Sequence, residues 1–150
     1  MDVVGEELYV YTDGGARGNP GPAAIGVVIR SSRTGKGGLT IAAFGRRVGE
    51  TTNNVAEYHA VIAALEFILT KKINCRRINF FLDSQLVVSQ LTGKFKIKQV
   101  HLRKLVELVH QLLRQLNTEV AFTHISRNQN QQADELVNQA LDQPDMTGSA

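Results

Sequence analysis

The chain has 150 residues, about the size of one domain, and its 17 Lys and Arg against 14 Asp and Glu give a formal net charge of +3. Hydrophobic residues make up 43% and charged residues 21% of the chain, which is the balance expected of an ordinary soluble globular protein. No stretch approaches the roughly 18 apolar residues of a membrane span, and the single cysteine, Cys75, excludes an intramolecular disulfide framework and a cysteine-based zinc site.

The first part of the chain has the pattern of a β-meander. We expect the first strand to end at Asp13, where Gly14 and Gly15 begin a loop that turns through the Gly- and Pro-rich residues as far as Pro22. Strands are predicted at residues 8–12, 23–30 and 39–48, with a hairpin turn at 34–38. Three strands with short Gly-rich connections indicate antiparallel pairing.

The hydrophobic period then becomes helical, and Thr51 or Thr52 can cap a helix whose apolar residues recur as far as Leu69. The remaining predicted elements are a buried strand at 78–82, helices at 86–91 and 97–116, a strand at 119–123 and a last helix around 133–141. This order predicts an α/β fold in which a mixed five-stranded sheet, three antiparallel strands and then two parallel additions, is flanked by helices. We assign residues 1–141 to this domain and expect residues 142–150 to be a polar, disordered tail.

Four acidic residues stand at unusual places in this pattern. Asp13 and Asp83 end apolar strands, whereas Glu57 and Asp134 lie near the starts of helices beside apolar neighbours. Taken singly, each has an ordinary explanation, because the helix dipole favours an acid in the first turn and Asp often ends a strand as a turn residue. Taken together, they converge if the helix starts face the strand ends.

A cluster of four carboxylates is unstable alone, because neighbouring like charges raise pKa values and cost several kcal/mol in a partly buried site. A hard divalent cation resolves the repulsion, and oxygen ligands without cysteine favour Mg²⁺ or Mn²⁺ over zinc. Two such ions would stabilise both the attacking and the leaving oxygen of a phosphoryl transfer.

Four segments resemble the signatures of type 1 ribonuclease H, in that family's order and spacing over about residues 7–141. They are residues 11–15 with 18–22 (YTDGG and GNPGP), 52–58 (TNNVAEY), 82–87 (LDSQLV) and 130–134 (NQQAD). The resemblance implies a ribonuclease H-like fold and a metal-dependent endonuclease that cuts the RNA strand of RNA–DNA hybrids, leaving 3′-hydroxyl and 5′-phosphate ends. It also implies that Asp13, Glu57, Asp83 and Asp134 hold two Mg²⁺, for which Mn²⁺ can substitute.

The same resemblance implies a surface that reads the hybrid. Glycines let the backbone approach the sugar closely, side-chain amides can read minor-groove edges and 2′-hydroxyls, and a threonine helps to seat a DNA-strand phosphate. The residues concerned are Gly14, Gly15, Asn19, Thr52, Asn53, Asn54 and Gln85. The alternative is turn and cap chemistry, in which Asn53 and Asn54 cap the helix.

The chain departs from many bacterial members of the family, which carry a long basic insertion with tryptophans after the fourth strand. Here that region is short and the chain has no tryptophan, so it resembles the compact form of the family. A small basic cluster remains, which either contacts phosphates or is a solvated face: Lys94, Lys96, Lys98, Arg103 and Lys104.

A second departure concerns the loop before Asp134, where better-known bacterial members have a histidine that shuttles protons or aids product release. Here His124 lies ten residues earlier with no glycine following, and Arg127 begins an Arg-x-x-Asn pattern that resembles compact members. Arginine cannot shuttle protons at neutral pH, but it can bind a phosphate bidentately. We therefore predict that Arg127 is the catalytic residue of the loop and keep His124 as the alternative.

Two other functions fit parts of the pattern. A DNA resolvase or integrase-like nuclease also gathers carboxylates, but it does not resemble the set formed by Asn53, Asn54 and Gln85. A non-catalytic module that binds hybrids or duplex RNA is expected to lack a carboxylate, whereas all four are present. We expect a monomer that binds RNA–DNA hybrid and no membrane, has no signal peptide and is located in the cytoplasm.

Overall fold

The computed structural model describes residues 7–31, 39–94 and 96–143. Its strands are β1 (Glu7–Ala16), β2 (Gly21–Arg30), β3 (Thr40–Thr51), β4 (Arg77–Leu82) and β5 (Glu119–His124), in the spatial order β3-β2-β1-β4-β5. The first three strands pair antiparallel, β4 is parallel to β1, and β5 is parallel to β4. The predicted mixed five-stranded sheet is therefore confirmed.

The helices are α1 (Asn53–Thr70), α2 (Gln85–Leu91), α3 (Val100–Leu116) and α4 (Gln131–Asp142), and a 3₁₀ turn (Arg127–Asn130) precedes α4. Of the two candidate caps of the first long helix, Thr52 is the one used, because its side chain accepts a hydrogen bond from the Val55 amide. Parallel strands need long crossover connections, which explains why helices separate β3 from β4 and β4 from β5. No helix in the described ranges is long and apolar enough to span a membrane.

The sheet separates two apolar clusters of unequal size. The larger cluster lies between one face of the sheet and α1, α2 and α3, and it contains Ile25 and Val27 of β2. The smaller cluster consists of Ala24, Val137, Ala140 and Leu141. Because successive side chains of a strand point to opposite faces, α4 packs on the other face of the sheet, and it is the only helix of the described residues to do so.

The expectation that β1 ends at Asp13 is wrong. The strand continues to Ala16, Asp13 pairs with Gly26 of β2, and only residues 17–20 form the turn. The reason is a tertiary contact, because a Cβ added at Gly14 would lie 2.3 Å from the carbonyl carbon of Ala56 in α1. The glycine therefore makes room for a helix rather than for a turn of the chain.

Other boundaries differ by a few residues, with β3 running on to Thr51 and the long helix beginning at Val100. The predicted hairpin turn at 34–38 and residues 144–150 of the predicted tail lie outside the described residues.

Candidate active site

Two of the four acids are brought together by parallel pairing. Thr12 of β1 pairs with Leu82 of β4 as the last pair of their parallel ladder, so Asp13, within β1, and Asp83, just after β4, lie side by side at the carboxyl end of that ladder. This is the edge of a sheet at which ligands of α/β proteins gather.

Glu57 joins them from α1 through the close approach at Gly14. The Gly14 amide donates hydrogen bonds to Glu57 Oε1 at 2.6 Å and to Asp13 Oδ1 at 3.0 Å. Carboxylate oxygens of Asp13, Glu57 and Asp83 all lie within 4.8 Å of one another, and Asp13 and Glu57 are only 8% and 5% exposed. The convergence expected from the sequence is thus present for these three residues.

Asp134 reaches the cluster from the opposite face of the sheet. Its helix packs so closely on the sheet that a Cβ added at Gly26, the partner of Asp13, would lie 2.2 Å from the carbonyl oxygen of Ala133. Asp134 follows Ala133, and its charge and the hydrogen bond that it accepts from the protonated Asp13 carboxyl both raise the pKa of Asp13. Asp134 therefore lies beside Asp13, at the margin of the group formed by the other three.

The crowding changes the acidity of the buried carboxyls. Burial, followed by the charge of Asp83, raises the pKa of Asp13 to about 7. Burial and then the charges of Asp13 and Asp83 raise the pKa of Glu57 well above its usual value. A group of buried oxygens that holds protons near neutral pH fits a hard divalent cation, since the cation replaces the protons and offsets the repulsion.

One residue of the site has a role that the sequence did not indicate. The side-chain amide of Asn130, which is 1% exposed, donates to the Thr12 carbonyl at 2.9 Å and to Asp83 Oδ2 at 3.3 Å. It therefore holds Asp83, which follows β4, against β1. The signal in the sequence is its place at the start of the motif at residues 130–134 and at the end of the Arg-x-x-Asn pattern.

The comparisons with known proteins agree with this geometry. The family model described as "Reverse transcriptase-like" matches residues 11–140. Ribonuclease HI of Halobacterium salinarum is 42% identical over 92% of this chain and 66% of its own length. The crystal structure of LC11-RNase H1 in complex with RNA/DNA hybrid, a protein isolated from compost, covers 90% of this chain and 96% of its own at 42% identity and a TM-score of 0.83.

The chain belongs to the type 1 ribonuclease H family. Members of this family are enzymes, and the name Ribonuclease H is shared by relatives such as that of Acidovorax. The chain spans 66% of the length of the halobacterial relative and 36% of the length of "Bifunctional protein Rv2228c" of Mycobacterium tuberculosis, to which it is 35% identical.

The residues with which a family member would read the hybrid are partly engaged with one another. The backbone N–H of Asn53 donates to Asn19 Oδ1 at 3.0 Å, and the side-chain Oδ1 of Asn53 accepts from the backbone N–H of Ala16 at 2.8 Å. These bonds tie the β1–β2 turn to the start of α1. Asn53 therefore connects α1 to the end of β1 and to the turn after it. The residue that caps α1 is Thr52 and not Asn53.

A polar cavity of about 380 Å³ lies at this junction. It is lined by Asn19, Thr52, Asn53 and Asn54 together with Gln99, His101 and Leu102 from the start of α3. A second cavity of about 260 Å³ shares Asn54, Gln99 and Leu102 with the first and adds Lys96 and Lys98. Part of the predicted basic cluster thus borders the predicted hybrid-reading residues, whereas Gln85 lies exposed at the start of α2 and Gly15 is half-buried in β1.

The loop before α4 leaves both predicted residues exposed. His124 ends β5, and Arg127 begins the 3₁₀ turn, whose start is held by reciprocal hydrogen bonds between Ser126 and Gln129. Within the described part of the chain, neither His124 nor Arg127 forms a hydrogen bond or ion pair with the carboxylates. The choice between them stays a prediction.

Proposed function

We propose that this chain is an endonuclease that hydrolyses the RNA strand of RNA–DNA hybrids and leaves 3′-hydroxyl and 5′-phosphate ends. The observation that carries the proposal is the meeting of Asp13, Glu57 and Asp83 within 4.8 Å, beside the point where the parallel pairing of β1 and β4 ends. Crystallisation of the relative LC11-RNase H1 with RNA/DNA hybrid supports the choice of substrate.

The proposed ligands of two Mg²⁺ are the carboxylates of Asp13, Glu57, Asp83 and Asp134. Mn²⁺ can substitute for Mg²⁺. When bound, the cations would activate a water molecule and stabilise the charge that develops on the departing 3′-oxygen. The chain supplies the geometry for this chemistry. The Gly14 amide orients Glu57, and the Asn130 amide orients Asp83.

Recognition of the hybrid is proposed for the surface beside the carboxylates. The cavity lined by Asn19, Thr52 and Asn54 is polar and has the start of α1 as one wall, which suits a DNA-strand phosphate. Backbone groups at Gly14 and Gly15, and the amides of Asn53 and Gln85, would contact the sugar edges and 2′-hydroxyls that distinguish RNA from DNA.

We assign to Arg127 the contact with the substrate's phosphate near the cleavage site, because its exposed guanidinium can bind a phosphate bidentately. His124 is the alternative in this role. We also propose that the protein is a monomer and is located in the cytoplasm.

The test is cleavage of three labelled substrates of one sequence, an RNA–DNA hybrid, an RNA duplex and a DNA duplex, with Mg²⁺ or with EDTA. We expect the RNA strand of the hybrid to be cut only with Mg²⁺, to give fragments that a polymerase extends from their 3′ ends. Cleavage of the DNA duplex would instead favour a resolvase-like nuclease. Binding of the hybrid without cleavage would favour a non-catalytic module, and turnover in EDTA would exclude the metal-dependent mechanism.

A further inference from the structure

An arginine on the edge strand holds the far end of the helix that carries Asp134. The Arg47 guanidinium of β3 donates from Nε to the Ala140 carbonyl at 3.1 Å, and from Nη2 to the carbonyls of Leu141 at 2.9 Å and Gln143 at 2.5 Å. The last carbonyls of a helix have no partner within the helix, and a cation beside them also interacts favourably with the helix dipole. Arg47 therefore binds three backbone groups at the C-terminal end of α4.

α4 packs on a row of paired residues that crosses the sheet from Asp13 in β1 to the edge strand β3. Asp13 pairs with Gly26, and Gly26 pairs with Gly45 of β3. Added Cβ atoms would lie 2.2 Å from the Ala133 carbonyl oxygen at Gly26 and 2.5 Å from the Leu136 carbonyl oxygen at Gly45. The backbone of α4 thus rests directly on the two glycines, and this contact sets the height of Asp134 above the sheet.

The apolar cluster beneath α4 is much smaller than the core beneath α1. The cluster beneath α4 contains four residues, three of them from α4 itself, and it is separate from the larger core that secures α1. The ion pair between Arg17 and Asp142 at 2.6 Å joins two side chains that are 48% and 66% exposed, so it adds little. The three bonds of Arg47 are consequently the main polar restraint on the C-terminal end of α4.

We propose that Arg47 is a positioning residue for Asp134. By binding the C-terminal carbonyls of α4, it keeps the helix on Gly26 and Gly45 and so keeps Asp134 beside Asp13. Asp134 and Leu141 are separated by ~10 Å along the helix axis at ~1.5 Å per residue, so the restraint acts at a distance through a rigid helix. The assignment rests on the proposed function only where it concerns catalysis, since the restraint on α4 is testable without substrate.

The first experiment measures hydrogen exchange of α4 amides in the metal-free protein, for wild type, Arg47→Ala, Arg47→Lys and the control Arg46→Ala. Arg46 is the neighbouring arginine, and its guanidinium lies over the Phe44 ring rather than on α4. We expect exchange in α4 to rise about tenfold in Arg47→Ala, as for loss of charge-assisted hydrogen bonds. Arg47→Lys should give a smaller rise, and α1 amides should not change. Equal exchange of α4 in wild type and Arg47→Ala, or an equal rise in Arg46→Ala, would overturn the proposal.

The second experiment measures hybrid cleavage against Mg²⁺ concentration for the same variants, each alone and combined with Asp134→Asn. We expect Arg47→Ala to raise the half-saturating Mg²⁺ concentration at least threefold and leave the KM for hybrid unchanged, with no further effect in the Asp134→Asn background. An effect of equal size in that background would show that Arg47 does not act through Asp134. Absence of cleavage by wild type would refute the proposed function and leave the exchange result as the test of the restraint on α4.

Discussion

Replacement of Gly14 by alanine tests whether the close approach of β1 and α1 builds the site. The added Cβ would lie 2.3 Å from the carbonyl carbon, 2.4 Å from the carbonyl oxygen of Ala56 and 2.5 Å from the amide nitrogen of Glu57. Ordinary contacts of a Cβ begin near 3.4 Å, so the strand and the helix must separate by about 1 Å. Overpacking of this kind costs about 1–3 kcal/mol, which corresponds to a fall of about 2–12 °C in melting temperature for a chain of this size.

The same shift acts on catalysis, because Glu57 is held by the Gly14 amide at 2.6 Å. A displacement of about 1 Å in a catalytic group lowers rates about 100-fold, so we expect hybrid cleavage by Gly14→Ala to fall by that order. The measurements are thermal melting in EDTA and initial cleavage rates in saturating Mg²⁺, made well below the melting transition.

Gly15→Ala is the matched control for stability. Its added Cβ would meet Val137 Cγ1 at 3.7 Å and Asn53 Oδ1 at 4.0 Å, which are ordinary contacts. If Gly14→Ala and Gly15→Ala melted at the same temperature, the tight packing of Gly14 against α1 would not explain why glycine stands there. Wild-type cleavage by Gly14→Ala would show that the position of Glu57 does not depend on this contact.

Three further predictions concern the carboxylates and the loop. Asp13→Asn should abolish hybrid cleavage and leave the metal-free protein folded. Its melting temperature should be no lower than that of wild type, because a buried charge is removed. Residual cleavage would contradict the proposed metal site. In EDTA, the free energy of unfolding should fall as the pH rises from about 4 to about 8, because the folded protein keeps protons on Asp13 (pKa about 7) and Glu57 that the unfolded chain releases; melting temperatures that rise over this range would refute the reasoning. Arg127→Ala should lower kcat/KM about tenfold and more than His124→Ala does, and the reverse order would assign the loop role to His124.

The patterns that predicted the fold correctly were those set by local chemistry. Apolar residues that recur every three to four positions, with Thr51 or Thr52 ahead of them as the cap, predict α1, and Thr52 is the cap used. The continuous apolar run at 78–82 predicts the buried strand β4. The carboxylate cluster is predicted for a similar reason, since the apolar runs that precede Asp13 and Asp83 and the starts of the helices are visible in sequence, although β1 itself continues past Asp13. Three of its members, Asp13, Glu57 and Asp83, meet as expected.

The features that escaped prediction depend on partners that are distant in sequence. The sequence predicts a loop at Gly14 because nothing near it in sequence shows that Ala56 will pack against its Cα. Asn130 bonds to the carbonyl of Thr12, which is 118 residues away, and Arg47 bonds to carbonyls 93 to 96 residues further along the chain. The partner in each of these contacts is a backbone group, so no complementary residue type marks it in the sequence.

The separate seat of α4 has a consequence for the order in which the site is completed during synthesis. A nascent chain that ends at His124 already contains all five strands and the residues Asp13, Glu57 and Asp83, together with α1, α2 and α3 and the larger apolar core. Asp134 and the amide of Asn130 come later, and Asp134 docks with α4 on a face of the sheet that the other helices do not use. In the order of the chain, Asp134 is therefore the last of the four carboxylates to join the site, and it docks on a sheet that already holds the other three.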